Sequence, residues 1–420
     1  MKKIIVVLFL LAGLWVSCNV DSSQTIRYSV NEPVFTSSET FRNSIKITSK
    51  AHELGNIGNI RLHNGYLYIS ERGKGIHIID NTNPSHPENK GYIEIPGHQE
   101  AFIRDKRLYA DALVDLVWFD LSIPSQPVLQ GRAENLFPET LPPIENEYGY
   151  DYDLCQTGIA QNKIVTGWQL KERKQQNYYS GNAPEYAASP PTLSQGNSLN
   201  RIDRRDISIS RFGLYEHYLY AVINYQMNVI DLSGEKPQKA AGGIYIGNVE
   251  NILSYRDKLF MGMSTGLVIY SLEDPARPVF CSQIAQVYGC NPVAVNTDFA
   301  YISIHSGNFC GQNINRLVIF DVSDMKYPVE TASYTMNYPK GLGIDKGMLF
   351  LCDDGLKVFK TGNPQTFIAD QLAYYPKWGG SDIVLFNNLL MLISDNGLYQ
   401  YDCSDVDNIR WMSVIPITNN

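Results

Sequence analysis

Leu317-Val-Ile-Phe-Asp321, which continues through Ser323 to Pro328-Val329, is the stretch of this chain that decides its fold. It contains an apolar run, an acid, a Ser or Thr and then Pro, and this order recurs along the chain. The acid position of the successive copies falls at Asp80, Asp120, Asp231, Ser271, Asp321, Lys360 and Asp402. The intervals between these positions are 40, 111, 40, 50, 39 and 42 residues. A period of about 40–45 residues is that of a β-propeller blade with four short strands.

One copy can be divided into four predicted strands. Glu250–Tyr255 is the innermost, Lys258–Met263 the second, Leu267–Tyr270 the third and Val279–Ile284 the outermost. The segments alternate at period two, are rich in Val, Ile, Tyr and Phe, and are separated by Gly or Pro, which argues against a helical repeat of similar length. The sequence therefore predicts an all-β chain, with a seven-bladed β-propeller of four-stranded blades over residues 51–420.

The apolar-acid run resembles the signature of the LVIVD-repeat proteins. The likeness covers roughly residues 55–417, and it is most specific at Asn251–Phe260, Cys290–Val295, Leu317–Asp321, Gly341–Asp345 and Asp395–Asp402. The resemblance implies a propeller at the envelope or cell surface, many members of the family being lipoproteins. It implies no established enzymatic activity and supplies no catalytic residues. Since Ser271 and Lys360 replace the acid in two copies, we interpret the acid as a structural element.

The N-terminus predicts export. Lys2 and Lys3 precede an apolar run, Ile4–Val16, that is too short to span a bilayer and fits the core of a signal peptide over residues 1–17. Ser17-Cys18 then resembles a lipoprotein cleavage site, which makes Cys18 the predicted lipidation site; an ordinary secretory signal is the alternative. The predicted location is the outer membrane of a Gram-negative envelope, facing the periplasm or the cell surface, with membrane contact only through the lipid.

Residues 18–50 are predicted to be a polar, lipid-anchored tether, in which Ser44–Thr48 could add a strand where the ring of blades closes. The net charge of −8 and the isoelectric point near 5.4 argue against a nucleic-acid partner. In an oxidising compartment Cys290 and Cys310 are predicted to form a disulfide, since both lie on the same face of one blade. No Cys or His spacing fits a metal site, and no cofactor or catalytic residue is predicted.

Candidate binding residues lie where the inner strands begin, at the mouth of the central channel. Aligning the copies on their second strands places polar residues at or near this position, namely Asn59, Gln99, Glu100, Arg211, Glu250, Asn291, Lys340 and Asp382. Loops from all blades converge at such a mouth, so this mixed ring could bind a polar solute. The alternative is that a channel mouth is polar and wet in any propeller.

The interval of 111 residues contains an insertion of residues 137–205 between blades two and three. Its charges, aromatic residues and prolines favour an arm that extends the outer strand of blade two and covers one face, because long excursions from a compact repeat are either functional or disordered.

Two functions remain open. The first is an envelope-anchored binding or scaffold module for a protein or glycan partner. The second is an envelope hydrolase or lyase with its site at the channel mouth. The sequence does not indicate the oligomeric state.

Overall fold

The structure is a computed structural model, and it describes residues 23–138, 140–144, 146–178, 193–194, 211–223, 225–247, 249–263, 266–284, 292–306 and 313–418. This part of the chain is all-β apart from two short α-helices and one 3-10 turn. The strands form many four-stranded antiparallel sheets, as the repeat predicts.

The chain begins with an N-terminal arm, followed by two repeat sheets. The arm comprises β1 (Ser23–Ser37), α1 (Ser38–Arg42) and β2 (Lys46–Thr48). Repeat sheet one comprises β3 (Ile57–His63), β4 (Tyr66–Glu71), β5 (Gly75–Asp80) and β6 (Glu88–Glu94). Repeat sheet two comprises β7 (Ala101–Arg104), β8 (Arg107–Ala112), β9 (Asp115–Asp120) and β10 (Val128–Ala133).

The insertion and the next two repeat sheets follow. The insertion contains β11 (Tyr150–Asp151), α2 (Tyr152–Ala160), β12 (Lys163–Tyr178) and β13 (Leu193–Ser194). Repeat sheet three comprises β14 (Phe212–Tyr215), β15 (Tyr218–Ile223), β16 (Gln226–Asp231) and β17 (Gln238–Tyr245). Repeat sheet four comprises β18 (Val249–Tyr255), β19 (Lys258–Met263), β20 (Gly266–Ser271) and β21 (Val279–Ile284).

Three more repeat sheets complete the chain. Repeat sheet five comprises β22 (Val293–Val295), β23 (Phe299–Ile304), β24 (Arg316–Asp321) and β25 (Val329–Thr335). Repeat sheet six comprises β26 (Pro339–Asp345), β27 (Met348–Asp353), β28 (Leu356–Lys360) and β29 (Gln371–Tyr375). Repeat sheet seven comprises β30 (Asp382–Phe386), β31 (Leu389–Ser394), β32 (Gly397–Asp402) and β33 (Arg410–Pro416), with a 3-10 turn at Val406–Asn408 before its last strand.

Each repeat sheet pairs its own consecutive strands in chain order. In every one of them the register shifts between the third and fourth strands, as between Ile78 and Ile79 or between Ile319 and Phe320. Such bulges bend the strand and increase the local twist. The fourth strand of each repeat sheet is therefore bent relative to the third.

The apolar cores lie between neighbouring repeat sheets. Tyr68 of sheet one shares a buried cluster with Leu108 of sheet two, and equivalent clusters join the following pairs in order. Ile69 of sheet one also shares a cluster with Met391 of sheet seven. Leu54 bridges Ile417 beside that cluster, so the two ends of the repeat region meet.

The acid of the repeat caps the loop that follows the third strand. Oδ1 of Asp321 accepts from the N–H of Ser323 at 2.9 Å and from its hydroxyl at 2.6 Å. Asp80, Asp120, Asp231 and Asp402 accept the equivalent backbone N–H. The Ser323 hydroxyl and then its N–H lower the pKa of Asp321. These local hydrogen bonds support the interpretation of the acid as structural.

The N-terminal arm and the insertion form one further sheet, whose strand order is β12-β1-β11-β13. β1 pairs with β12 in antiparallel fashion from Ser23↔Tyr178 to Ser37↔Lys163. Two expectations therefore differ from the structure, because the region expected as a tether contains a long strand, and the strands of the insertion pair with β1 rather than with β10. The strand predicted at the closure of the ring, observed as Lys46–Thr48, instead pairs with the outer strand β6 and is a fifth strand of repeat sheet one. Leu54 makes the contact between the two ends of the repeat region.

Candidate functional site

The end of the repeat sheets at which the inner strands begin is called the mouth face here. The structure brings four of the eight predicted residues together on it, between repeat sheets one, two and three: Asn59, Gln99, Glu100 and Arg211. Lys340 and Asp382 lie where the inner strands of repeat sheets six and seven begin. The side chain of Glu250 and all of Asn291 fall outside the described residues, as do Cys18, Cys290 and Cys310.

A chain of polar side chains runs through the group at sheets one and two. Nδ1 of His98 lies 2.8 Å from Oδ1 of Asp111, and its Nε2 lies 2.9 Å from Oγ of Ser70. Oγ of Ser70 in turn lies 2.8 Å from Oδ1 of Asn59, to which it can donate. Asn59 donates to the carbonyl oxygen of Ala101 at 3.1 Å. These contacts tie β4 of sheet one to the segment that enters sheet two.

Asp111 shapes that entering segment. Its Oδ1 accepts from the backbone N–H groups of Gln99 and Glu100 at 2.8 and 3.0 Å. Asp353 has a similar role at repeat sheet six, where it accepts from the N–H of Tyr338 at 2.5 Å. An acid at the end of a second strand therefore satisfies backbone donors that the sheet leaves unpaired.

Glu100 is the centre of the charged part of the group. It is 4% exposed, and its Oε1 lies 3.3 Å from the Arg61 guanidinium while its Oε2 accepts from the backbone N–H of Arg211 at 2.6 Å. Burial lowers the pKa of Arg61, although a third of its side chain remains exposed, and the charge of Glu100 opposes this effect. Burial likewise lowers the pKa of Arg211, with Glu100 and Asp111 opposing it. Two carboxylates and two guanidiniums thus balance one another.

A cavity of about 40 Å³ opens beside this group. Gln99, Glu100 and Asp111 line it from repeat sheet two, and Arg211 and Phe212 line it from repeat sheet three. The remaining wall comes from the residues that lead into the insertion, Thr140, Leu141 and Pro143. The site is therefore formed jointly by the repeat sheets and the insertion.

Buried ion pairs fix the N-terminal arm on the mouth face. Asp115, which is fully buried, accepts from Nε of Arg42 at 2.9 Å and from the Arg132 guanidinium at 2.8 Å. Oδ1 of Asp115 also accepts from the backbone N–H of Asn135 at 2.8 Å. Because Arg42 ends α1 while Asp115 begins β9, the arm is held against the hairpin of repeat sheet two.

Apolar contacts join the insertion to the same hairpin. Phe41 of α1 and Ile164 of β12 form one buried cluster with Leu113 and Val114, which make the turn between β8 and β9. We refer to residues 23–42 and 140–178 together as the insertion unit. Its strands are linked further by Arg173, which lies 2.8 Å from Glu32 of β1 and 2.7 Å from Asp151.

The second group of predicted residues is smaller. The Lys340 ammonium lies 5.1 Å from the centre of the Tyr338 ring, and the His305 ring meets Tyr338 edge-on at 5.1 Å. Oδ1 of Asp382 accepts from the N–H of Ile383 at 2.9 Å, as a cap on the inner strand β30. Burial raises the pKa of the nearby Cys352 thiol, and the charge of Asp382 raises it further.

The order Ser70, His98, Asp111 matches the hydrogen-bond pattern of a serine-hydrolase triad. Two observations oppose a catalytic role. Ser70 and His98 are both fully buried, so a substrate has no access to the hydroxyl. The single hydroxyl proton of Ser70 also cannot serve both His98 and Asn59, whereas a nucleophile gives its proton to the base. The arrangement accounts well for a structural connection between two sheets.

Within the described ranges, no three His, Cys, Asp or Glu side chains are close enough together to hold a metal ion. The same part of the chain contains no helix of the length and apolar character that a bilayer crossing requires.

Several members of the site were not predicted from the sequence. Asp111 interrupts an apolar second strand, which is a signal that could have identified it. His98 directly precedes the predicted Gln99, but it has no other His or Cys at a spacing that would have indicated a site. Arg61 and Thr140 give no local signal, because their place in the site depends on how separate sheets pack.

Comparisons with known proteins complete the description. A family model described as "LVIVD repeat" matches residues 54–94 and 290–336, which correspond to repeat sheets one and five, and this confirms the resemblance found in the sequence. No curated protein matches the chain by sequence. Among solved structures, the computationally designed Ika8 protein is similar at 9% identity, with a TM-score of 0.48, covering 88% of this chain and 91% of that chain. Hsv2p of Kluyveromyces lactis is similar at 11% identity, with a TM-score of 0.44, covering 85% of this chain and 97% of that one.

Proposed function

We propose that this LVIVD-repeat chain is a seven-bladed β-propeller that acts as a binding or scaffold module for a protein or glycan partner, held at the cell envelope by a lipid on Cys18. The repeat sheets, in each of which four consecutive strands pair in chain order, support this proposal. Support for a closed ring comes from the apolar clusters, which join each sheet to the next and the last sheet to the first.

The observation that carries the proposal is that the insertion unit packs against the mouth face. Its residues 140–178 interrupt an otherwise regular repeat, and the fully buried Asp115 holds the unit in place through Arg42, whose carbonyl oxygen also accepts from Arg132 of repeat sheet two. It also exposes large side chains to solvent, with Tyr152 45% and Leu170 48% exposed. A rigidly held excursion with exposed apolar side chains on a repeat scaffold is typical of a recognition surface.

The chemistry of the site favours binding over catalysis. Its carboxylates are occupied by guanidiniums and backbone N–H groups, and its histidine is fully buried. A general acid or base must reach the substrate, directly or through one water. The polar side chains on the mouth face instead offer fixed polar contacts beside a small cavity.

A capture experiment tests the role of the insertion unit. Purified full-length protein is used as bait in solubilised envelope extract and against immobilised glycans, and it is compared with the double variant Tyr152→Asp and Leu170→Asp. Val329→Asp, at a 59% exposed position on the outer strand of repeat sheet five, is the matched control. We expect the double variant to lose its partners and the control to keep them. An unchanged set of partners for the double variant would contradict a role of the insertion unit in binding.

The hydrolase hypothesis keeps one specific observation in its favour, the series Ser70, His98 and Asp111. A fluorophosphonate probe, which labels activated serines, tests it directly. We expect no labelling of the folded protein, because Ser70 has no exposed surface. Labelling that disappears in Ser70→Ala, and not in a Ser323→Ala control, would replace the binding function by a hydrolytic one.

A further inference from the structure

We propose that the outer end of the β1–β12 strand pair, residues 23–30 and 171–178, binds the anionic phosphate headgroups of the bilayer in which Cys18 is anchored. We call these residues the ribbon end. The proposal rests on the proposed lipid anchor, and it departs from the expectation that the lipid alone touches the membrane. Three observations carry it: the short chain between Cys18 and β1, the excess of cations at this end, and the register that places two of them opposite each other.

The chain between Cys18 and the ribbon end is short. β1 begins at Ser23, five residues after Cys18, and Ser23 pairs with Tyr178 at the outer limit of the strand pair. An extended chain advances by at most about 3.3–3.6 Å per residue, so these five residues span no more than about 18 Å. The opposite limit of the strand pair, Ser37↔Lys163, adjoins α1, which packs on the hairpin of repeat sheet two. With a lipid on Cys18, the ribbon end is therefore the part of β1 that lies nearest to the bilayer.

The ribbon end is basic although the chain as a whole is acidic. It contains four cations, Arg27, Lys171, Arg173 and Lys174, and one acid, Glu172, whereas the whole chain has a net charge of −8. An anionic membrane surface attracts Lys and Arg side chains that lie within about a Debye length of it, about 8–10 Å at ordinary salt concentrations. A local excess of cations is thus what holds a protein of net negative charge against an anionic bilayer.

Two cations of the ribbon end have no acid beside them. Arg173 is committed to the insertion unit, where it lies 2.8 Å from Glu32 and 2.7 Å from Asp151. Lys171 and Lys174, in contrast, are exposed and form no ion pair within the part of the chain that the structure describes. Of the four described strands in its sheet, β12 is the outermost, so both lysines lie along one edge of the sheet. Their ammonium groups can therefore reach a surface that lies against this edge.

The pairing register places two like charges directly opposite each other. Arg27 is the register partner of Lys174, so the two side chains share one face of the strand pair. Like charges at directly opposed positions destabilise a strand pair. Glu172 lies 3.3 Å from the Arg27 guanidinium and relieves only that half of the pair, since Lys174 has no acid of its own among the described residues. A phosphate group beside Arg27 and Lys174 would offset their repulsion, which indicates an anionic ligand at this place.

Lysine acetylation measures the contact on the complete lipoprotein. The protein purified with its lipid is placed in nanodiscs of phosphatidylcholine alone or of equal parts phosphatidylcholine and phosphatidylglycerol, and mass spectrometry follows the reaction of each lysine with a water-soluble reagent. We expect Lys171 and Lys174 to react about fivefold more slowly in the anionic discs, because a Lys near an anionic surface gains about 1 kcal/mol. Lys239 and Lys326, which are exposed on repeat sheets three and five, are the controls and should react equally in both discs. Salt at about 1 M, which shortens the screening length to about 3 Å, should abolish the difference.

The results distinguish a failure of the ribbon end from a failure of the anchor. Equal reaction of Lys171 and Lys174 in the two discs would overturn the proposal even with the anchor intact. Protection by inorganic phosphate in the neutral discs would assign these cations to a soluble anion and would also overturn it. Protein that fails to enter the discs would contradict the anchor and this proposal with it, while capture through Tyr152 and Leu170 in solubilised extract would still test partner binding.

A charge reversal supplies the second test. Lys174→Glu places an acid opposite Arg27, so we expect the variant to be at least as stable to heat as the wild type. Because its ribbon end is less basic by two charges, Lys171 should lose its protection in the anionic discs. Lys326→Glu makes the same change of net charge on repeat sheet five and should leave Lys171 protected. Undiminished protection of Lys171 in Lys174→Glu would refute the proposal.

Discussion

The hydroxyl of Tyr68 donates a 2.8 Å hydrogen bond to the carbonyl oxygen of Pro124. Tyr68 lies in the second strand of repeat sheet one, and Pro124 lies in the loop after the third strand of repeat sheet two. Tyr220 makes the same bond to Pro275 between repeat sheets three and four, also at 2.8 Å. At these two junctions the Tyr of the second strand and the Pro of the following loop are thus two halves of one contact between neighbouring sheets.

Loss of this contact should be measurable. We expect Tyr68→Phe to lower the free energy of unfolding by about 1 kcal/mol, because the carbonyl oxygen of Pro124 loses the hydrogen bond from the buried hydroxyl. Urea unfolding gives the value. Tyr327→Phe, at a 75% exposed position, is the control and should be neutral. Equal values for the two variants would contradict the role of the contact.

The acid caps predict that the stability of the protein depends on the side chain at the acid position and on pH. Asp321→Ala should destabilise the protein by about 1 kcal/mol, while Asp321→Asn keeps an acceptor for the N–H of Ser323 and should cost less. Since the folded state lowers the pKa of Asp321, its contribution is present above the pKa of the unfolded state, about 3.9, and is lost as the pH falls. Urea unfolding at pH 7 and at pH 3 measures both effects. A wild-type advantage over Asp321→Ala that is as large at pH 3 as at pH 7 would contradict this account.

The ion pairs around Asp115 should hold the N-terminal arm. Asp115→Ala leaves Arg42 and Arg132 without their shared carboxylate in a largely buried place, so we expect a loss of about 3 kcal/mol. Limited proteolysis should then cleave within residues 23–48 before the repeat sheets. Arg104→Met breaks an ion pair with Asp105, whose side chain is 84% exposed, and should leave the arm protected. Unaltered protease resistance of the arm in Asp115→Ala would show that apolar packing alone holds it.

The lipid anchor stays a prediction from sequence. Cys18→Ser should move the protein from the detergent phase to the aqueous phase in Triton X-114 partition and abolish incorporation of labelled palmitate. Cys281→Ser, which changes a half-buried thiol in β21, should do neither. Continued labelling of Cys18→Ser would place the acyl group on another residue.

Sequence periodicity predicted the repeat sheets closely. The strands predicted for repeat sheet four as 250–255, 258–263, 267–270 and 279–284 differ from the observed bounds by at most one residue at an end. Each strand within such a sheet pairs with its neighbour in sequence, so alternation and turn residues contain nearly all the information that is needed.

The N-terminal arm shows where such local information ends. Arg27 of β1 lies beside Lys174 and Glu172 of β12, about 145 residues along the chain, and no local pattern announces this pairing. Prediction of the candidate site from local sequence is limited in the same way. Gln99 and Glu100 were predicted from their place in the repeat, whereas Thr140 and Arg61 reach the site only through packing between sheets and the insertion unit.

The meeting of Leu54 with the C-terminal end has a consequence for the order of folding. The repeat sheets join strands that are close in sequence, but Thr418 bonds to the carbonyl oxygen of Leu54 across 364 residues. Contacts of such long range form late, because the entropy of closing a large loop must be met first. A chain synthesised from its N-terminus would therefore leave repeat sheet one unpacked on one side until the last strand emerges. We expect the seam between repeat sheets one and seven to exchange its amide hydrogens faster than any other junction between neighbouring repeat sheets.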